Sequence, residues 1–161
     1  MFKDDELTGA YNIWILRNIN YYSTIVLCDL DNFKYINDKF GHNAGDRVLK
    51  SVTNLLMNYC STNDFVCRYG GDEFLIIYKY SNEKIVKELM KIACNVIYTT
   101  LKLGNYNVSF SVGISSYKKG KSLDKAIKDA DKTLYYSKES GRNKVTCYSE
   151  VSKCAKKKTK K

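Results

Sequence analysis

Proline is absent from this chain, and glycine occurs only nine times in 161 residues. A Pro/Gly-rich linker therefore has no place in it, and its length fits one domain. Histidine occurs once, as His42. Nothing partners it as a metal ligand or as the base of a Ser or Cys triad, so those chemistries are set aside. Long apolar runs are missing too. No stretch is suited to span a bilayer, and the start, Met1-Phe2-Lys3-Asp4-Asp5, lacks the pattern of a signal peptide. The six cysteines (Cys28, Cys60, Cys67, Cys94, Cys147, Cys154) show no Cys-x-x-Cys spacing. Five lie within apolar strand or helix patterns, where a free thiol behaves as a small hydrophobe. A reduced, cytoplasmic protein is the natural expectation.

What is present is enough apolar material for a core: 44% of residues are hydrophobic and 13% aromatic. The formal charge is +10, and six of those positives are Lys153, Lys156, Lys157, Lys158, Lys160 and Lys161. The remainder carries only +4, a mild excess. The chain thus divides into one domain over 1–150 and a basic tail over 151–161. The tail reads as a solvated, disordered end rather than a nucleic-acid or membrane contact.

Patterning predicts strands at 22–30, 65–69, 73–79, 106–116 and 143–148, and helices at 9–18, 32–39, 44–59, 82–101 and 123–139. Helical period is carried by Val48, Leu49, Val52, Leu55, Leu56 and Tyr59, by Ile85, Leu89, Ile92 and Val96, and by Ile127, Ala130 and Leu134. Ser122 is placed to cap the last helix and Gly141 to end it. Alternation in Val108, Phe110, Val112 and Ile114 marks a half-buried strand. Strands interleaved with helices give an α/β fold, helices packed on a central sheet. Two strands meet at a tight turn, so the sheet is mixed.

That turn is Arg68-Tyr69-Gly70-Gly71-Asp72-Glu73-Phe74. Two glycines suit a bend with φ > 0 and leave room for a bulky ligand. Two acids follow at once, suited to hold Mg²⁺ against phosphate oxygens. Upstream, the β-rich run Tyr21 to Leu27 ends in Cys28-Asp29-Leu30-Asp31-Asn32-Phe33-Lys34. An acid at a buried strand's end, beside a hairpin bearing more acids, gives a converging negative site that a divalent cation neutralises.

These two blocks, with Asp5-Glu6-Leu7-Thr8-Gly9, the continuation Tyr35-Ile36-Asn37-Asp38-Lys39-Phe40-Gly41-His42-Asn43-Ala44-Gly45-Asp46, and Ala130-Asp131 through Lys138 to Lys144, resemble the GGDEF domain, the catalytic domain of diguanylate cyclases. The blocks occur in family order from Asp5 to about Tyr148. The resemblance implies a palm-like mixed β-sheet with a βααββαβ core, similar to class III nucleotidyl cyclases. It implies that Asp29 and Asp72 coordinate Mg²⁺ with the Leu30 carbonyl, as a pair of ions about 3.5–4 Å apart, with Mn²⁺ as a substitute. Asp29 read alone is equally a strand-end cap or salt-bridge partner. Asp72 is the better candidate for activating the attacking 3′-hydroxyl. Glu73, one residue on in a strand, is expected to point to the other side, as catalyst or as support. Asp31 reads as the N-cap of the next helix, with a place beside Asp29 as the alternative.

Asn37 and Asp46 resemble the family's guanine readers. A carboxylate accepts from guanine N1–H and N2–H₂ together, which favours GTP over ATP. His42 is read as lying near the nucleotide or as part of the loop. Lys34, Lys138 and Arg142 are assigned to the phosphates, with Lys34 and Arg142 acting in catalysis. The motif at Asp5 is read as an anchor to an upstream regulator, although Ala10, Ile13 and Trp14 depart from the family there and little lies upstream. Many relatives carry Arg-x-x-Asp before the hairpin as a product-inhibition site. Here Ser61-Thr62-Asn63-Asp64 lacks the arginine, so inhibition through that site is expected to be weak. The implied activity is an Mg²⁺-dependent homodimer making cyclic di-GMP and pyrophosphate from two GTP. The alternatives are a catalytically silent GTP or cyclic di-GMP binding module and a related nucleotidyl transferase. A regulatory protein partner is left open.

Overall fold

The computed structural model describes residues 5–11 and 21–152. The β-rich run after Tyr22 forms strand β1 (Ser23–Leu30), buried along its whole length. Two helices follow, α1 (Phe33–Phe40) and α2 (His42–Asn58). Strands β2 (Phe65–Arg68) and β3 (Glu73–Lys79) flank the glycine turn. Helix α3 (Glu83–Thr100) leads to a small hairpin, β4 (Lys102–Leu103) and β5 (Tyr106–Asn107). Strand β6 (Phe110–Tyr117), helix α4 (Leu123–Glu139) and strand β7 (Val145–Cys147) complete the order.

Five strands form one sheet in the order β2-β3-β1-β6-β7. Only β6 and β7 run parallel; the other neighbours are antiparallel. The fold is thus an α/β mixed sheet flanked by helices, the cyclase-like palm expected from the sequence. One face packs against α2 and α3 through Val26, Cys28, Ile76, Val112 and Ile114. The other packs against α4 through Ile25, Leu27, Leu75 and Ile77. Alternation along β1 and β3 therefore feeds two cores instead of one core and solvent. Four cysteines, Cys28, Cys67, Cys94 and Cys147, are buried free thiols within these layers. Among the described residues no helix is long and apolar enough to cross a membrane.

Three local expectations change. Most of the predicted helix 9–18 lies outside the described residues; Tyr11, at its start, bridges Cys67 in parallel. The single strand 106–116 is two pieces. Tyr106 and Asn107 turn away to pair with Leu103 and Lys102 around Gly104, whose φ is 59°. β6 is also buried on both faces rather than half-buried. Finally, α3 does not bury Ile85 and Ile92, which are 60% and 53% exposed. It turns Val86, Met90, Ala93, Cys94 and Ile97 to the sheet. The helix carries two adjacent apolar stripes, and the one with the smaller Ala93 and Cys94 allows the closer approach. Ser122 does cap α4, its hydroxyl accepting from the Lys125 N–H, and Gly141 follows the helix end with φ 110°.

Gly113 sets the spacing of β6 and α4. A Cβ there would lie 2.1 Å from the Ala130 carbonyl oxygen and 2.3 Å from the Leu134 nitrogen. Backbone cannot yield as a side-chain tip can, so Gly113→Ala is expected to cost about 3 kcal/mol in urea unfolding. Gly71→Ala, with nothing within 4 Å of its Cβ position, is expected to stay within about 0.5 kcal/mol of the parent.

Candidate active site

The carboxyl end of β1 opens into a cavity of about 280 Å³. Asp29, Leu30, Lys34, Asp72, Lys138 and Arg142 line it, together with the turn at 31–33. Seven of the residues singled out from sequence, Asp31 among them, are therefore brought together from distant parts of the chain. Asp29 comes from β1 and Asp72 from the hairpin bend, which is tied to β1 by the Leu30 N–H donating to the Asp72 carbonyl at 3.2 Å. Lys34 projects from the first turn of α1, Lys138 from the end of α4. Arg142 sits in the turn beyond α4 with a left-handed φ of 59°.

Asp29 is the electrostatic centre. It is only 8% exposed, and its carboxyl stands raised at about 6, chiefly because of burial. The Lys138 ammonium, 2.8 Å from Asp29 Oδ2, pulls it back down, while Asp72 and Glu73 push it further up. A buried acid facing two more acids and held by one lysine is a place that favours added positive charge.

Glu73 departs from expectation. Asp72 precedes the strand, so alternation does not relate the two acids. The register of β1 and β3 sets Glu73 directly opposite Asp29, and residues opposite each other in an antiparallel pair share a face. Glu73 therefore belongs to the same sheet face as Asp29, although it does not line the cavity itself. The two glycines of the bend also act otherwise than expected: neither Gly70 nor Gly71 takes a positive φ. A Cβ at Gly70 would lie 2.7 Å from Glu73 Oε2, the tip of a side chain that can swing aside.

Asp31 is neither a helix cap nor a cavity ligand of the Asp29 kind. Asn32 stands at the cap position of α1, in left-handed conformation with φ 56°. Asp31 is 2% exposed and accepts three hydrogen bonds. Ser111 Oγ donates to Oδ1 at 2.6 Å; Ser109 Oγ and the Asn143 N–H donate to Oδ2 at 2.7 and 3.0 Å. It clasps the start of β6 and the turn carrying Arg142 to the end of β1. An acid two residues past Asp29 was visible in sequence, but its partners lie 78 to 112 residues away, so nothing local showed what it holds.

The proposed guanine readers form a separate group beside the cavity. Asn37 follows Lys34 by one helical turn on α1. Its carboxamide lies against Gly45 of α2, where a Cβ would meet Asn37 Oδ1 at 2.0 Å. Gly45 is the residue that sequence reading passed over. A glycine in the first turns of a helix lowers its stability, and that cost was the available signal. Asp46, next to it, is exposed, as is His42 at the start of α2. None of Asn37, His42 and Asp46 lines the acidic cavity.

Arg68 was likewise passed over. Its guanidinium contacts both Asp5 carboxylate oxygens, at 3.2 and 3.3 Å, and donates to the Gly71 carbonyl at 2.7 Å. Asp5 in turn accepts from the Thr8 N–H and hydroxyl. The Asp5-to-Gly9 motif thus braces the glycine hairpin. At the other end of β2, Asp64 has both oxygens occupied by backbone: Oδ2 by the Ser61 N–H at 2.7 Å and Oδ1 by the Lys79 N–H at 2.8 Å.

The donor set suits a hard cation. Asp29, Asp72 and the Leu30 carbonyl offer oxygen only, and Mg²⁺ is held by one or two carboxylates when phosphate and water supply the rest. Too few side-chain ligands gather for an all-protein metal cage: among the described residues no group of three His, Cys, Asp or Glu is arranged to hold an ion.

Comparison with known proteins agrees with this geometry. The model of the diguanylate cyclase GGDEF domain matches residues 4–144. Diguanylate cyclase DosC of Escherichia coli K12 is 35% identical over 126 residues, covering 76% of this chain and 27% of DosC. The chain therefore spans about a quarter of that relative's length. The GGDEF domain of DgcB from Caulobacter crescentus, in complex with c-di-GMP, superimposes with a TM-score of 0.83 at 25% identity, covering 91% of this chain and 95% of that one. Diguanylate cyclase SiaD of Pseudomonas aeruginosa, in complex with its activator SiaC, does so with a TM-score of 0.81 at 27% identity, covering 89% and 61%.

The Asp31 clasp is open to direct test. Asp31→Ala leaves the buried Ser111 hydroxyl and the Asn143 N–H without their acceptor. A loss of about 2–4 kcal/mol in urea unfolding is expected, with Asp31→Asn between the variant and the parent.

Proposed function

Because the chain belongs to the GGDEF domain family of diguanylate cyclases, we propose that its cavity binds the triphosphate of GTP with Mg²⁺ and that two such subunits, face to face, make cyclic di-GMP and two pyrophosphates. The observation that carries this reading is the meeting of Asp29 and Asp72 with Lys34, Lys138 and Arg142 in one cavity. The acids there suit a metal ion and the three cations suit the phosphate oxygens that accompany it.

Asp29, Asp72 and the Leu30 carbonyl hold the metal. When bound, Mg²⁺ draws charge from the phosphate oxygens and makes the 3′-hydroxyl easier to ionise, and Mn²⁺ meets the same donors. Lys34 and Arg142 bind phosphate oxygens and stabilise the charge that grows on them. Lys138, held at Asp29 in this structure, is within reach of the same oxygens. Asn37 and Asp46 take the guanine edge beyond the α1 helix, with His42 near the base. The 3′-oxygen of one GTP attacks the α-phosphorus of the other, pyrophosphate leaves, and the hydroxyl proton passes to a carboxylate of the hairpin. Glu73, on the same sheet face as Asp29, joins Asp72 as an acceptor for it. Among the described residues one such cavity is present, so two GTP are presented by two chains. The SiaD complex supports a regulatory protein as a further partner.

Purified chain with GTP and Mg²⁺, followed by mass spectrometry, is expected to give cyclic di-GMP at a rate rising more than linearly with protein concentration. Asp72→Ala and Asp29→Ala are each expected to lower it by about 100-fold or more while keeping the circular dichroism of the parent. Absence of any cyclic dinucleotide at all protein concentrations would reject the enzyme reading.

Product inhibition follows a different logic. The site used by many relatives would need Asp64 free and an arginine where Ser61 stands, and both Asp64 oxygens are occupied by backbone. Low-micromolar cyclic di-GMP is therefore expected to leave the initial rate unchanged. Inhibition that Asp64→Ala abolishes would contradict this.

A further inference from the structure

Helices α1 and α2 are joined by a single residue. Gly41, with φ 86°, ends the first and stands at the cap position of the second. Its N–H donates to the Asn37 carbonyl, and its own carbonyl accepts from the Gly45 N–H. Asn37 and Gly45 are thus each about one helical turn from the junction, and they meet in the angle between the helices. Gly45 is buried. A Cβ built there would overlap Asn37 Oδ1, and would lie 3.1 Å from Asn37 Cγ and 3.2 Å from Phe33 Cζ. All three neighbours are side-chain atoms. Gly113 differs, because the two atoms nearest its Cβ position are backbone atoms of α4. At Gly45 the missing side chain makes room for a carboxamide, not for the close approach of another backbone.

The carboxamide in that room is not engaged by the protein. Among the described residues the Asn37 side chain has no hydrogen-bond partner, and neither has the Asp46 carboxylate on the next residue of α2. Asn37 is half-buried and Asp46 exposed. An amide with donor and acceptor both free, next to a free carboxylate, is a surface that reads the polar edge of a heteroaromatic ring. Phe33 links it to the acidic cavity. Its ring tip faces position 45, and the same residue lines the cavity. Glycine in a helix also lowers stability relative to alanine. Local folding therefore favours alanine at position 45, and it is the Asn37 amide that alanine would displace.

We infer that Gly45 determines base specificity by positioning Asn37: its empty Cβ space holds the amide in the crevice between α1 and α2, where amide and Asp46 together admit a 2-amino-6-oxopurine. This rests on the assignment of Asn37 and Asp46 to guanine under the proposed function. Gly45 itself touches no substrate and acts through its neighbour. With alanine at 45 the Asn37 side chain must leave the crevice, which a half-buried side chain can do by changing rotamer. The backbone of α2 need not move, since no backbone atom is among the three nearest neighbours. The carboxylate of Asp46 then stands alone as the reader. Discrimination between purines falls when one of two converging polar groups is withdrawn, because the wrong base no longer leaves that group unpaired. Phosphate binding in the acidic cavity is a separate contact and stays.

The test is calorimetric binding of the α,β-methylene analogues of GTP and ATP, with Mg²⁺, to the full chain and three variants: Gly45→Ala, Asn37→Ala and the two combined. The parent is expected to prefer the guanine analogue. Gly45→Ala is expected to weaken that analogue about tenfold and the adenine analogue by less than about twofold, with the melting temperature lowered by no more than about 2 °C. Asn37→Ala, which carries no overlap at position 45, is expected to give the same loss of preference. The double variant is expected to bind as Asn37→Ala does, since alanine at 45 then has no amide to displace. Additive losses in the double variant would overturn the inference and make Gly45 a packing residue. So would an equal weakening of both analogues by Gly45→Ala, or a preference for guanine that survives it. A parent that binds neither analogue, or both alike, would reject the guanine assignment itself, and the inference with it.

Discussion

The structure is organised around one costly arrangement: a nearly buried carboxylate, Asp29, facing two more acids at the end of a sheet. Burial and like charge both disfavour its ionised form, and the Lys138 ammonium is what the protein itself supplies against them. Such a site persists only if its walls cannot relax apart. Strand β1 is the middle strand of five and is buried throughout, so the carboxylate sits on the least mobile element available. The hairpin bearing Asp72 is fastened from two sides. Leu30 holds its far end by a backbone hydrogen bond, and Arg68 holds Gly71 while being held by Asp5. The turn bearing Arg142 is fastened by Asp31. Positive and negative groups are thereby fixed at close range before any ligand arrives, which is the condition for electrostatic preorganisation.

Charge is also sorted along the length of the molecule. Asp29, Asp72 and Glu73 gather where β1 ends, and the exposed lysines Lys84, Lys118, Lys119 and Lys121 stand near where it begins. This follows from the chain's path. In a mixed sheet whose helices α3 and α4 return from the same end, the loops at 79–82 and 117–122 must be neighbours, and this sequence fills them with lysine and tyrosine.

Much of the architecture was readable from periodicity. β1, β3, α2 and α4 stand close to their predicted bounds because their apolar residues recur at one period and the ends carry turn or cap residues. α3 shows the limit of that reading. Its stripe of Ile85, Leu89, Ile92 and Val96 has the right spacing, yet the neighbouring stripe is buried, because contact distance to the sheet favours the smaller side chains. The break in 106–116 depended on pairing between Tyr106 and Leu103, which alternation does not encode. At the site, residue types announced themselves: Asp29, Asp72, Lys138 and Arg142 were legible and do converge. Roles that depend on facing were not. Glu73 shares Asp29's face through strand register, Gly70 does not take the positive φ expected of it, and Asp31 serves as a clasp across long sequence separations.

The sequence by itself determined the inventory: the acids, the cations that line the cavity with them and the α/β alternation, all written in local spacing. Tertiary structure alone decided orientation and proximity. Which stripe of a helix is buried, which acid looks into the cavity and which lysines share an end depend on pairing between distant segments. Contacts of that kind are selected by competition among whole packings, so no single window of sequence contains them.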